Sequence, residues 1–175
     1  MKKGVACKSW LDVPLPCGKM FKLSSVDIAL LTIFPSQRWS GGYVKICRYI
    51  ETDYGAVKQD LFLHRVIVRP PGGFEVDHIN RDKLDNRREN LRLATRMENM
   101  QNKAKASGCT SKYRGVSWRG RVNKKNPWGA YISNRGKRVE LGYFPTEKIA
   151  ALAYDQKARV IWGDFAFQNF PESTK

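Results

Sequence analysis

Apolar and polar positions along this chain change period several times, and each change marks an element. From Val13 to Val68 the pattern predicts a small α+β region. Ser24 or Ser25 is placed to cap a short helix carrying Ile28, Leu30 and Leu31, which must end before Pro35. Gly41-Gly42 breaks the chain after Trp39. Tyr43, Lys45, Cys47 and Tyr49 then alternate with Val44, Ile46, Arg48 and Ile50 as a strand does. A turn at Asp53-Tyr54-Gly55 returns the chain into Leu61-Phe62-Leu63. Pro70-Pro71-Gly72-Gly73 is the strongest break so far, and it delivers the chain into a strand-like Phe74–Ile79. Residues 80–90 (NRDKLDNRREN) are polar or charged apart from Leu84 and read as a loop. A second short strand, 91–95, has Leu91 and Leu93 on one face. Thr95 can cap a helix running from Arg96 toward Ala106, which Gly108 should stop. The order is strand, polar loop, strand, helix.

Residues 102–112 (NKAKASGCTSK) have linker composition, and a domain boundary is placed at 107–112. Beyond it the pattern predicts three strands, Tyr113–Trp118, Trp128–Ser133 and Arg138–Phe144. A basic loop joins the first two and Asn134-Arg135-Gly136 turns between the last two. Thr146 caps a helix through Ile161 with Ile149, Leu152, Ala153 and Val160 on its apolar face, and Gly163 stops it.

Charge changes the picture more than composition does. With 175 residues and 42% hydrophobic positions the chain suits one ordinary domain or two small ones. Thirty-two Lys and Arg against sixteen Asp and Glu leave a formal net charge of +16. The excess is spread: 11 basic against 6 acidic residues over 1–76, 9 against 5 over 77–112, and 12 against 5 over 113–175. A surface of this kind attracts polyanions, of which nucleic acid is the commonest. A membrane is not expected, because Val26–Phe34 is too short to cross one and no basic amphipathic anchor is present. No apolar h-region follows Met1-Lys2-Lys3, so a secreted product is not expected either. Cys7, Cys17, Cys47 and Cys109 form no C-x-x-C pair and only two histidines exist, which argues against structural zinc. Free thiols are expected, with a Cys7–Cys17 link as the alternative.

Hydrolysis of a phosphodiester needs an activated water, neutralisation of a phosphorane-like transition state, and a stabilised leaving oxygen. A hard divalent cation on oxygen ligands supplies the last two. A neutral imidazole, whose ordinary pKa is about 6.5, can take the proton of the water. Residues 74–102 hold both parts: Asp77 as an oxygen ligand, His78 as a base, and Asn90 and Asn99 as orienting or ligating carboxamides. Each has a plainer reading. An Asp-His pair can be a surface accident, Asn90 can close the turn into the second strand, and a helical Asn99 can be solvated. Asp82 and Asp85 read as turn-formers. His64 reads as a phosphate contact or a partly buried structural histidine. Adjacent strand residues face opposite ways, so Asp77 and His78 can both reach one phosphate only if the strand ends there or if they approach different atoms, and the second option fits a ligand-plus-base division of labour.

The run EVDHINRDKLDNRRENLRLATRMENMQN resembles the ββα-metal (His-Me finger) motif of HNH endonucleases, especially phage homing nucleases. The upstream LHRVIVRPPGGF and SSVDIALLTIFPSQRW are similar to segments that precede it. The resemblance implies one Mg2+ or Mn2+ held by Asp77 and Asn99, His78 as general base, and Asn90 holding loop and base in place. It implies an α+β fold, with the nuclease domain over residues 1–106 and its ββα core at about 74–106.

Residues 113–170 resemble the DNA-binding domain of plant ethylene-response factors (apetala-two type). The resemblance rests on Tyr113-Arg114-Gly115-Val116, Leu141-Gly142-Tyr143-Phe144, Ala150-Ala151-Leu152-Ala153-Tyr154-Asp155 and Asn169-Phe170-Pro171. It implies a domain over 113–175 with a three-stranded antiparallel sheet packed on one helix, the sheet meeting the major groove. Arg114 and Arg138 match basic contact positions. Trp118 and Arg119 lie in or beside the first hairpin, where the insertion GRVNKKN blurs the match. Arg121 and Lys137 complete the expected contacts, whose plainer reading is a solvated basic face. Glu140 stands where the plant domains carry a DNA-facing Trp and Ser133 near a usual Arg, so sequence preference does not transfer.

Together these imply a metal-dependent endonuclease acting on double-stranded DNA as a monomer. A single site implies nicking, with 5′-phosphate and 3′-hydroxyl ends. The setting implied is the cytoplasm of the host of a phage or mobile element. The alternative is a DNA-binding regulator retaining the nuclease fold without its catalysis. An RNA-binding protein is disfavoured by the lack of an RNP-type aromatic signature.

Overall fold

The structure, a computed structural model, describes residues 9–103, 110–121, 124–134 and 136–171. It divides into two compact units, Met1–Arg96 and Met97–Lys175.

In the first unit, strands β1 (Trp10–Pro14) and β2 (Met20–Ser24) form an antiparallel hairpin. A 3-10 turn at Ser25–Asp27 and helix α1 (Ala29–Ile33) follow, and the helix ends ahead of Pro35 as expected. Strands β3 (Gln37–Ser40), β4 (Tyr43–Thr52) and β5 (Gly55–Phe62) make an antiparallel meander. Its β4–β5 hairpin turns at Asp53-Tyr54, and Ser24 lends its hydroxyl elsewhere, accepting from Arg88 N at 2.8 Å.

Leu63 does not continue the returning strand. It opens helix α2 (Leu63–Val68), which the periodicity did not predict and which buries Leu63, His64 and Ile67. Six residues are too few to show a helical period, and the β-branched Val66, Ile67 and Val68 read locally as strand. Their tertiary contacts override that preference. Ile67 and Leu63 pack with Phe21, Leu23, Val44, Ile46, Val76 and Leu91 in the core of this unit.

Strand β6 (Glu75–His78) and strand β8 (Leu91–Ala94) are an antiparallel pair. Between them lies β7 (Asp85–Asn86), which joins β2 in parallel, and a 3-10 turn at Arg88–Asn90. In β8 the expected face is only half used: Leu91 is buried and Leu93 is exposed.

Helix α3 (Arg96–Gln101) is shorter than expected, since Asn102 and Lys103 are not helical. Ala106, Gly108 and half of the expected linker at 107–112 lie outside the described residues. Cys17 and Cys47 are free thiols, and the Cys7 of the alternative link also lies outside the described residues.

In the second unit, β9 (Val116–Trp118), β10 (Trp128–Asn134) and β11 (Lys137–Phe144) form an antiparallel sheet in the order β11-β10-β9. Helix α4 (Glu147–Trp162) lies against it, its first turn capped by Thr146, whose hydroxyl accepts from Ile149 N at 3.3 Å. A 3-10 turn, Gly163–Phe165, ends it. This is the mixed α+β architecture expected.

The buried face of α4 differs from the expected one. Ala150, Ala151, Tyr154, Asp155 and Ala158 are buried, whereas Ile149, Leu152 and Val160 are exposed. Small side chains let the helix approach the sheet closely, so its bulky aliphatic residues are left outside. Hydrophobicity ranks Ile above Ala, but close approach selects Ala here.

Gly115 marks the tightest such approach. It has φ of 73°, and a Cβ there would lie 2.0 Å from Tyr154 Cδ2 and 2.7 Å from Tyr131 O. Gly115→Ala adds left-handed strain to this overlap and is expected to cost about 3 kcal/mol. Urea unfolding checks it; an unchanged midpoint would mean that the strand and helix are not in such close contact.

Candidate active site and nucleic-acid face

Asp77 and His78 end β6, and both are buried, at 6% and 4% exposure. The register sets Asp77 opposite Arg92 of β8, and the guanidinium donates to Asp77 Oδ2 from Nε at 2.9 Å and Nη2 at 2.7 Å. His78 lies opposite Leu91 and alternates with Val76, so its ring is on the core side. There it meets His64 edge-on at 5.1 Å between centroids and Tyr43 at 6.1 Å. Tyr43 in turn contacts His64 at 5.1 Å and lies under Lys83 Nζ at 4.2 Å.

This surrounding disfavours charge on either imidazole. Burial pushes the His78 pKa down, and the Asn86 amide and the carboxylates of Asp77, Asp82 and Asp85 only partly oppose it. His64 is lowered to about 3, first by burial and then by His78, Arg65 and Lys83. Its Nδ1 is buried without a hydrogen-bond partner.

The polar loop holds itself together through side chains. Asn90 Oδ1 accepts from Asn80 N at 3.0 Å, and its Nδ2 donates to Asp85 O at 2.7 Å. Asp85 accepts from Asn80 Nδ2, Arg87 Nε and Arg87 Nη2, each at 2.8 Å. Burial alone would raise the Asp85 pKa, but the Arg87 bonds outweigh it and hold the group below its ordinary value. Asp82 accepts from Leu84 N at 3.0 Å, a turn-forming contact. Asp77, His78, Asn90 and His64 thus all belong to the first unit, while Asn99, half-buried on α3, belongs to the second.

Arg92 and Asn86 were missed from the sequence. Pairing β6 with β8 in register would have exposed Arg92 opposite Asp77. Nothing local marks Asn86, which becomes fully buried only when β7 docks on β2.

In the second unit, the sheet face away from α4 carries Tyr131, Arg138 and Tyr143, with Arg119 beside Gly129. A Cβ on Gly129 would touch Arg119 Cγ at 3.0 Å and Tyr143 Cε1 at 3.6 Å. Arg138 stacks over Tyr131 at 3.6 Å and its Nε bonds Glu140 Oε1 at 2.8 Å. Arg121 is exposed.

Trp118, Lys137 and Arg114 stand apart from that group of side chains. Trp118 is two residues from the buried Val116 and shares its face, the helix side, but its ring is 49% exposed and meets the core-packed Trp128 edge-on at 4.9 Å. Lys137 also alternates away from Arg138, at the hairpin end. The guanidinium of Arg114 is turned to backbone carbonyls, with Nη1 donating to Gln101 O at 2.7 Å and also to Lys103 O. Strand alternation decides the first two, and the acceptor-rich end of α3 decides the third.

This arrangement has relatives. Residues 62–101 match the HNH endonuclease family. The chain is similar to an "Uncharacterized HNH endonuclease L560" of Acanthamoeba polyphaga mimivirus, at 33% identity over 122 residues, covering 69% of this chain and 61% of that protein. Its C-terminal region is similar to plant DNA-binding proteins of the AP2 and ethylene-responsive type. Dehydration-responsive element-binding protein 2D of Arabidopsis thaliana is 33% identical over 90 residues, 49% of this chain and 40% of that protein. Ethylene-responsive transcription factor WRI1 of Arabidopsis thaliana is 38% identical over 72 residues, 37% of this chain and 17% of that protein. The chain thus spans less than two thirds of the length of the relatives it matches. No solved structure matches it.

The His64 environment makes stability depend on pH. Its folded pKa, about 3, lies below the ordinary 6.5, so below pH 6.5 the unfolded chain takes up a proton that the folded one refuses. Stability contributed by His64 is whole above pH 6.5 and falls toward pH 3 by up to about 1.4 kcal/mol per unit. His64→Phe should flatten the acid arm of a stability-against-pH curve. An equally steep arm in the variant would assign that loss to other groups.

Proposed function

We propose that the chain is a metal-dependent endonuclease that hydrolyses phosphodiester bonds of double-stranded DNA. The observation that carries this reading is the Asp77–His78 pair at the end of β6, with the imidazole disfavouring charge and the loop beyond it braced by Asn90. The HNH match and the DNA-binding relatives support it.

In this reaction His78 accepts the proton of the attacking water. Its Nε2 is buried in the interior, which supports uptake at Nδ1. Asn90 holds the loop that carries Asn80 and Asp85, and so the exit of β6.

The donor chemistry fits one hard cation. Among the described residues no group of three or more His, Cys, Asp or Glu gathers for a metal, so a site built on several carboxylates is not indicated. Asp77 and Asn99 would hold a single Mg2+ or Mn2+, with phosphate and water oxygens completing its shell. A carboxylate has about four lone-pair sites, so Arg92 and the ion can share Asp77. When bound, the ion supplies charge neutralisation at the phosphate and leaving oxygen.

Duplex DNA would meet the sheet face carrying Arg119, Tyr131, Arg138 and Tyr143, with exposed Arg121 nearby. The single site in one chain supports nicking by a monomer.

His78→Ala should lower plasmid nicking in Mg2+ by about 100-fold or more, leave DNA affinity within a few-fold, and mimic the effect of EDTA on the parent. Undiminished nicking by the variant would remove His78 from the reaction. Arg138→Ala should weaken duplex binding and reduce the salt slope by about one. The same slope in parent and variant would mean that Arg138 meets no phosphate.

A further inference from the structure

Helix α3 has six residues, Arg96–Gln101. An isolated helix shorter than about 12 residues does not persist in water, and no residue of α3 is fully buried. Asn102 N and Lys103 N donate to Glu98 O and Met100 O at 3.3 and 3.4 Å, but the carbonyls at its end have no donor within α3 itself, so its shape must be held from outside.

Those carbonyls are met by the sheet domain. Arg114 Nη1 donates to Gln101 O at 2.7 Å and to Lys103 O, and Nη2 reaches Met100 O and Gln101 Oε1, each at 3.5 Å. Phe167 N adds a bond to Gln101 O at 3.1 Å, and the Arg114 guanidinium lies 5.5 Å over the Phe167 ring. A cation at a helix C-terminus also opposes the helix dipole. The Arg114 backbone is pinned separately: its N donates to Asn169 Oδ1 at 2.7 Å, and its O accepts from Asn169 Nδ2 at 3.1 Å. The buried Asp155 holds Asn169 in turn, accepting from its N and Nδ2 at 2.9 Å.

We infer that Arg114 is a positioning residue of the nuclease: its guanidinium terminates α3 and thereby orients Asn99, two residues before Gln101. The inference rests on the reading of Asn99 as a ligand. It gives the residue a task different from the DNA contact that its place in the sequence suggests. Removing Arg114 would then loosen α3 while leaving most DNA affinity intact.

Arg114→Ala, Arg114→Lys, Asn99→Ala and, as a reference, Arg138→Ala are compared as full-length proteins. In the metal-free, DNA-free protein, amides of residues 97–103 should exchange about tenfold faster in Arg114→Ala, with Arg138→Ala like the parent. In nicking, kcat should fall by about ten- to a hundredfold, KM for DNA should stay within a few-fold, and the Mg2+ concentration for half activity should rise. Arg114→Lys keeps the charge without the fork and should recover part of each effect. Because Asn169 pins the backbone, the side-chain variants should fold; should the alanine variant fail to, Arg114→Lys carries the same comparison. Unchanged exchange in 97–103, or a loss confined to DNA affinity with a shallower salt slope, overturns the inference. Nicking retained by Asn99→Ala sinks the ligand reading instead, and the exchange data separate the two failures.

Discussion

The carboxylate of Asp85 sets the geometry on which the candidate site depends. The loop between β6 and β8 has two apolar residues, an exposed Ile79 and a half-buried Leu84, so hydrophobic packing cannot shape it. Polar groups in its interior need partners, since each one left without costs about 1–3 kcal/mol. Asp85 supplies acceptors for Asn80 and Arg87, its carbonyl takes the Asn90 amide, and Asn90 closes back on Asn80. Lys22 N donates to Leu84 O at 2.8 Å, and Arg88 bonds Asp27 at 2.8 and 2.6 Å, tying the loop to the β2 region. The exit of β6, where His78 stands, is held by this network.

Electrostatics divide the protein into a broad attraction and a local restraint. A net charge of +16 draws a polyanion from a distance, and salt weakens that attraction. Close to β6 the proposed reaction has a different requirement, because its base must remain uncharged beside many cations. Burial does this for His64 and His78, with Arg65 and Lys83 adding repulsion at His64. Arg92 meets Asp77 through two bonds to one oxygen, so the strand carboxylate carries a fixed orientation. In the proposed reaction, these side chains settle position and protonation before DNA arrives, which is how preorganisation lowers a barrier.

The second unit uses different means. Its helix lies close to the sheet through Ala150, Ala151 and Ala158, and the space under Gly115 is taken up by Tyr154. That leaves the opposite face to Tyr131, Arg138 and Tyr143, where the Tyr131 ring holds the long Arg138 side chain by stacking. A cation held in place loses less freedom on meeting a phosphate than one free in solvent.

The order strand, loop, strand, helix, the short helix before Pro35, the three C-terminal strands and the Thr146 cap were legible in the sequence. Each depends on alternation, a proline, or a capping hydroxyl, and these act over a few residues. The adjacency of Asp77 and His78 was legible for the same reason, since it is covalent. Tertiary structure alone decided that residues 63–68 are helical, that alanines and not Ile149 or Leu152 face the sheet, and that Trp118 turns to the core side. It alone brought His64 and Asn86 to His78, set Arg92 on Asp77, and turned Arg114 to the end of α3. Local pattern reports which side chains prefer burial; which of them are buried, and against what, depends on partners distant in the chain, because space and hydrogen-bond acceptors are shared across the whole fold.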